Sequence, residues 1–161
     1  MDPKIDSALV WFRCIYLDGI PRLLQANETS FLSFLCVVAA TDALAGYRYT
    51  SAAVGDRFRD FVTDYFPPEY KPHASNLYLF RCRMLHNFSP AYFSLVNEKP
   101  SIHLQPSSIG DTYLDDGSFF NHMRAASEKY FAHLLVDVPL QMTMLHRLDD
   151  GRNGGAIWVQ G

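Results

Sequence analysis

The stretch that decides the fold is residues 77–90, which read LYLFRCRMLHNFSP. Its large apolar residues recur at helical spacing and are Leu77, Phe80 and Met84. This spacing predicts one buried stripe on a helix over about residues 75–87. Pro90 disfavours helical backbone at the residue before it, so the helix is expected to end near His86 or Asn87.

Arg81 and His86 lie five positions apart in this helix and flank the apolar stripe. Imidazole titrates near neutrality and can transfer protons, whereas guanidinium stays charged and forks onto phosphate oxygens. These two side-chain types suit RNA cleavage without a metal ion. The alternative is that Arg81 pairs with Asp42 and that His86 merely caps the helix. Spacing alone favours this alternative, because such Arg/His pairs occur by chance in many sequences.

Length and composition indicate one globular domain of 161 residues with a net charge of -3. That charge argues against a broad nucleic-acid-binding surface, so any RNA contact has to come from a local cluster such as Arg81 and Arg83. Three cysteines without CxxC spacing indicate reduced thiols in a cytoplasmic protein. No signal peptide is recognisable, and the longest apolar run, 31–40, is too short to span a bilayer. We therefore expect no membrane association.

The rest of the chain predicts a mainly α-helical fold, an up-and-down bundle. The other predicted helices cover 4–18, 21–25, 31–46, the segment from Asp56 to Pro67-Pro68, 118–136 and 139–148. Between the fourth and fifth long helices, 92–96, 101–105 and 112–114 have strand-like patterns. We expect them to form a small antiparallel β-hairpin, inserted over about 91–115 before the last long helix. Residues 1–148 are then one domain, and 149–161 form a Gly-rich tail.

The histidines and cysteines do not predict a metal site or a cofactor. His122 and His133 share a helix but lie about 16 Å apart along its axis at 1.5 Å per residue. The remaining candidates are isolated in the sequence and are His73, His103 and His146. There is no HExxH pattern and no phosphate-binding glycine loop. Cys82 and His86 have the i, i+4 spacing of a thiol–imidazole pair, but a cysteine in mid-helix is more often a small core residue.

The run 77–90 resembles the Rx4-6H signature helix of the HEPN superfamily, whose members often show a similar Leu-Tyr, Arg, His-plus-aromatic and Pro arrangement. The predicted order of elements over roughly 5–148 is also similar to that of HEPN-like bacterial proteins. The resemblance implies a homodimer joined along the 77–87 helix, with Arg81 and His86 of both chains forming one site. Active members are metal-independent endoribonucleases, often toxins or antiviral proteins held by an antitoxin, and many other members have lost activity.

Four further residues complete the expected site: Asp42, Cys82, Arg83 and Asn87. Cys82 occupies a position that is often Asn, Asp or His in active members. We therefore expect either a ribonuclease or RNA-binding protein, in which His86 transfers protons and Arg81 stabilises the phosphate, or a non-catalytic interaction module. A distinguishing feature is whether Arg81 faces an open cleft or is bound to Asp42.

Overall fold

The fold is mainly α-helical in the computed structural model, which describes residues 1–51 and 53–149. The α-helices are α1 (Pro3–Phe12), α2 (Ile20–Leu23), α3 (Asn27–Arg48), α4 (Val54–Tyr65), α5 (Ala74–Asn87), α6 (Asp116–Val136) and α7 (Val138–Asp149). A π-helical turn, Arg13–Leu17, follows α1, and 3₁₀ turns lie at Pro68–His73 and Pro100–Ile102. The predicted helices are confirmed to within a few residues at their ends. Helix α7 runs to Asp149, and 150–161, the rest of the predicted tail, lie outside the described residues.

Helix α5 confirms the helix predicted over about residues 75–87. The predicted apolar stripe is fully buried, at Leu77, Phe80 and Met84. Phe88 ends the helix in a left-handed conformation with φ 52°, and its N–H donates to the Arg83 carbonyl. Pro90 follows two residues later, so the chain leaves the helix where the sequence predicts.

Helix α3 is the central helix and packs against α2, α4, α5, α6 and α7. Its buried side chains lie on one broad face of the helix and include Phe34, Val37, Val38 and Leu44. By length and composition α3 is apolar enough to cross a membrane, but half of its most apolar window is buried inside the fold. The central helix of a soluble bundle passes the same test, so this is weak evidence for a membrane segment.

The expected antiparallel hairpin is wrong. Strands β1 (Phe93–Val96) and β2 (Thr112–Asp115) pair in parallel, with Phe93 opposite Thr112 and Val96 opposite Asp115. Parallel neighbours need a connection of about a dozen residues or more, and residues 97–111 supply one. We call this segment the crossover. The expected strand at 101–105 is absent, because the chain there forms the turn Pro100–Ile102.

The crossover lies against the other edge of β2 and against the start of α6. Leu104 N donates to the Tyr113 carbonyl at 2.8 Å, and Tyr113 N donates to the Gln105 carbonyl at 2.9 Å. The carboxylate of Asp115 is buried and accepts hydrogen bonds from Lys99 N at 2.7 Å and from Ser118 N at 2.8 Å. One side chain thus caps α6 and holds the crossover.

Candidate functional site

Arg81 lies on the side of α5 that faces α3, where Asp42 is its partner. The Arg81 Nη2 donates to Asp42 Oδ2 at 2.6 Å, and the two side chains are 21% and 26% exposed. The pairing predicted from sequence as the alternative is therefore confirmed for Arg81. The pair joins α3 to α5 in a partly desolvated position.

The electrostatics of the pair favour a permanently charged guanidinium. Burial by itself lowers the pKa of Arg81, but the hydrogen bond and the negative charge of Asp42 offset it, and the pKa is raised. The Arg81 Nε is also buried, and it has no hydrogen-bond partner within the described part of the chain. Arg81 therefore keeps unused donor capacity next to Asp42.

His86 lies apart from this pair. It is exposed in the last turn of α5, and among residues 1–51 and 53–149 its ring has no hydrogen-bond or ion-pair partner. At 100° per residue it points about 140° away from Arg81, so a single chain does not bring the two side chains together. A site that uses both needs a second contribution from outside the chain.

The other expected site residues lie along the exposed side of α5. Arg83 and Asn87 are exposed, and Cys82 is half-buried. Cys82 lies beside Tyr78, whose pKa it raises through a hydrogen bond. Asp42 and Arg81 are in direct contact, whereas Arg83, His86 and Asn87 are exposed, so one chain does not gather the predicted residues into one pocket.

A second polar cluster joins residues that the sequence left isolated. The Tyr70 Oη lies 2.7 Å from His103 Nε2 and 3.0 Å from His122 Nδ1. Tyr70 is fully buried. His103 and His122 are 33 and 52 positions from Tyr70 in the sequence, and no sequence spacing predicts that they come together.

Burial sets the protonation states in this cluster. It lowers the pKa of His103 to about 4, with a further lowering by the neighbouring His122. It also lowers the pKa of His122 and raises that of Tyr70 well above its usual value. All three groups are therefore neutral at pH 7.

Neither this cluster nor any other in the described residues places three or more His, Cys, Asp or Glu side chains to hold a metal ion. An open cavity of about 910 Å³ lies along α7. Its lining residues are Thr50, Met142, Thr143, Leu145, His146, Arg147 and Asp149. None of the residues predicted for the site is among them.

No protein-family model, curated protein or solved structure matches the chain. We therefore infer function from the geometry of α5 and from the residues of the run 77–90.

Proposed function

We propose that the chain is a HEPN-like interaction module with an up-and-down bundle, which forms a homodimer through α5. The observation that carries this proposal is the ion pair of Arg81 with Asp42. Because the guanidinium is bound within its own chain, its first role is to hold α5 on α3. The resemblance of the run 77–90 to the HEPN signature helix supports α5 as the element that meets the second copy.

The exposed side of α5 and the turn after it carry large apolar side chains. Leu79 and Leu85 are 39% and 48% exposed, and Phe88 and Tyr92 are 74% and 49% exposed. At 100° per residue, Leu79 and Leu85 flank His86 on the exposed side of the helix. We call these four residues the α5 surface. Several large exposed apolar side chains on one helix and the turn after it are typical of an interface, since burying them removes apolar area from water.

The molar mass in solution tests the dimer. We expect the purified chain to have twice the 18.3 kDa of one chain by light scattering at micromolar concentration. The double variant Leu79→Glu, Leu85→Glu is expected to be a folded monomer, because it places charge in the α5 surface. Ile109→Glu, at a 78% exposed apolar residue of the crossover, is the matched control and should remain dimeric. A monomeric parent at about 100 µM contradicts the proposal.

The second candidate is a metal-independent endoribonuclease, which the unused donors of Arg81 favour. Asp42 binds one terminal nitrogen at 2.6 Å and the side chain keeps 21% exposure, whereas the Nε, unpartnered among described residues, is buried and out of reach of a ligand. A scissile phosphate would bind the remaining terminal N–H groups, and His86 would remove the 2'-hydroxyl proton or protonate the leaving oxygen. In a dimer His86 comes from the second copy. Such an enzyme, of a defence or toxin type, would be cytoplasmic and have RNA as substrate and an antitoxin as partner.

Cleavage of labelled single-stranded RNA in excess chelator tests this candidate. We expect Arg81→Ala and His86→Ala each to reduce the rate by at least about 100-fold, since each removes a charge-stabilising or proton-transferring group. His146→Ala, at another exposed histidine, should retain the parent rate. If several RNAs remain intact, the ribonuclease is excluded and the interaction module stands. If both site variants still cleave, Arg81 and His86 do not form the site of cleavage.

A further inference from the structure

The hydrogen bonds around Tyr70 have one possible direction. The backbone N–H of Asp115 can only donate, and it lies 3.1 Å from His103 Nδ1, which must therefore accept. The proton of neutral His103 is then on Nε2, which donates to Tyr70 Oη. The Tyr70 hydroxyl in turn donates to His122 Nδ1. We call this series the His103–Tyr70–His122 chain.

The His103–Tyr70–His122 chain connects three separate segments of the polypeptide. Tyr70 belongs to the turn Pro68–His73, His103 to the crossover and His122 to α6. Asp115 binds the crossover a second time, through Lys99 N, and Asp116 binds it through the Asn97 amide at 2.6 Å. The crossover is therefore held at its beginning by carboxylates and at its middle by His103.

A proton on either imidazole breaks the series. On His103 Nδ1 it would face the Asp115 N–H, and two donors cannot bond to each other. On His122 Nδ1 it would turn the acceptor of the Tyr70 hydroxyl into a donor. The hydroxyl hydrogen then has no acceptor in the described surroundings of the fully buried Tyr70, which is costly.

Charged and titratable groups from several elements surround the rings of His103 and His122. Glu69 favours protonation of both His103 and His122, and Asp115 favours protonation of His103. His73 and His122 oppose protonation of His103. Burial outweighs these charges and is the main reason that both rings are neutral.

We propose that the His103–Tyr70–His122 chain is a pH-sensitive latch, which holds the crossover against α6 while both imidazoles are neutral and releases it when one is protonated. This inference is independent of whether the module dimerises or cleaves RNA. Release is local, because α3 contributes no side chain to these hydrogen bonds.

Amide hydrogen exchange of the full chain between pH 7.5 and pH 4 tests the latch. After correction for the intrinsic pH dependence of exchange, we expect peptides from 97–111 to lose protection by at least about 10-fold at the acidic end, while peptides from α3 keep theirs. Nitrogen-detected NMR of the rings at pH 7.5 should show His103 and His122 as Nε2–H tautomers.

His122→Asn is the informative variant. The Asn Oδ1 can take the place of Nδ1 as acceptor for Tyr70, but it does not titrate, so release should shift to lower pH. His146→Asn, at an exposed histidine of α7, is the control and should behave as the parent. The latch is overturned if protection in 97–111 does not fall with pH, if α3 loses protection at the same pH, or if His122→Asn leaves the midpoint unchanged.

Discussion

Phe80→Ala is expected to lower the free energy of unfolding by about 3–5 kcal/mol, the largest effect of any substitution considered. Phe80 is fully buried, and its ring contacts Phe34 with centroids 6.4 Å apart and Phe93 with centroids 5.5 Å apart. It thereby joins α5 to α3 and to β1. Truncation removes apolar area from the core and leaves a cavity that three separate elements cannot easily close.

Urea denaturation followed by circular dichroism measures this loss. Ile109→Ala truncates an apolar side chain at a 78% exposed position of the crossover, outside the α5 surface, and it should change the stability by no more than about 0.5 kcal/mol. A loss below about 1 kcal/mol for Phe80→Ala would falsify the placement of this ring at the junction of three elements.

Asp42→Ala is expected to have the second largest effect, a loss of about 1–3 kcal/mol. It leaves a guanidinium that is only 21% exposed without its counter-charge. Fully buried pairs lose about 3–5 kcal/mol when one partner is removed, and partial exposure of this pair reduces the effect by solvent screening. Arg81→Met should be less harmful, because Met keeps the packing of the side-chain stem and removes the charge.

A double-mutant cycle isolates the interaction. For Asp42→Ala with Arg81→Met we expect a coupling free energy of about 1 kcal/mol or more. The pair of Asp56 with Arg59 is the control, since its side chains are 55% and 36% exposed, and its coupling should stay below about 0.5 kcal/mol. Equal coupling in the two cycles would show that the pair of Asp42 with Arg81 has no special role in holding α5.

The features predicted correctly from the sequence are those set by neighbours along the chain. The stripe on α5 follows from helical spacing, and the end of the helix follows from Pro90, which disfavours helical backbone at the residue before it. The partner of Arg81 was predictable as one of two alternatives, because a carboxylate such as Asp42 in an apolar helix needs a counter-charge.

The features predicted wrongly or missed depend on residues that are distant in sequence. Strand-like patterns at 92–96 and 112–114 do not show whether the two strands pair in parallel or antiparallel. The residues between them form a turn at Pro100–Ile102 in place of the expected strand, and they are numerous enough to connect parallel strands. In the same way, Tyr70 contacts both His103 and His122, and no pattern of residue spacing along the sequence predicts these contacts.

The Arg81–Asp42 pair has a thermodynamic consequence. A phosphate that binds the guanidinium competes with Asp42 for it, so anion binding and the attachment of α5 to α3 are linked equilibria. By reciprocity, whatever free energy the anion loses to this competition is the free energy by which its binding loosens the two helices. The ligand affinity of such a site is therefore set partly by the stability of the bundle.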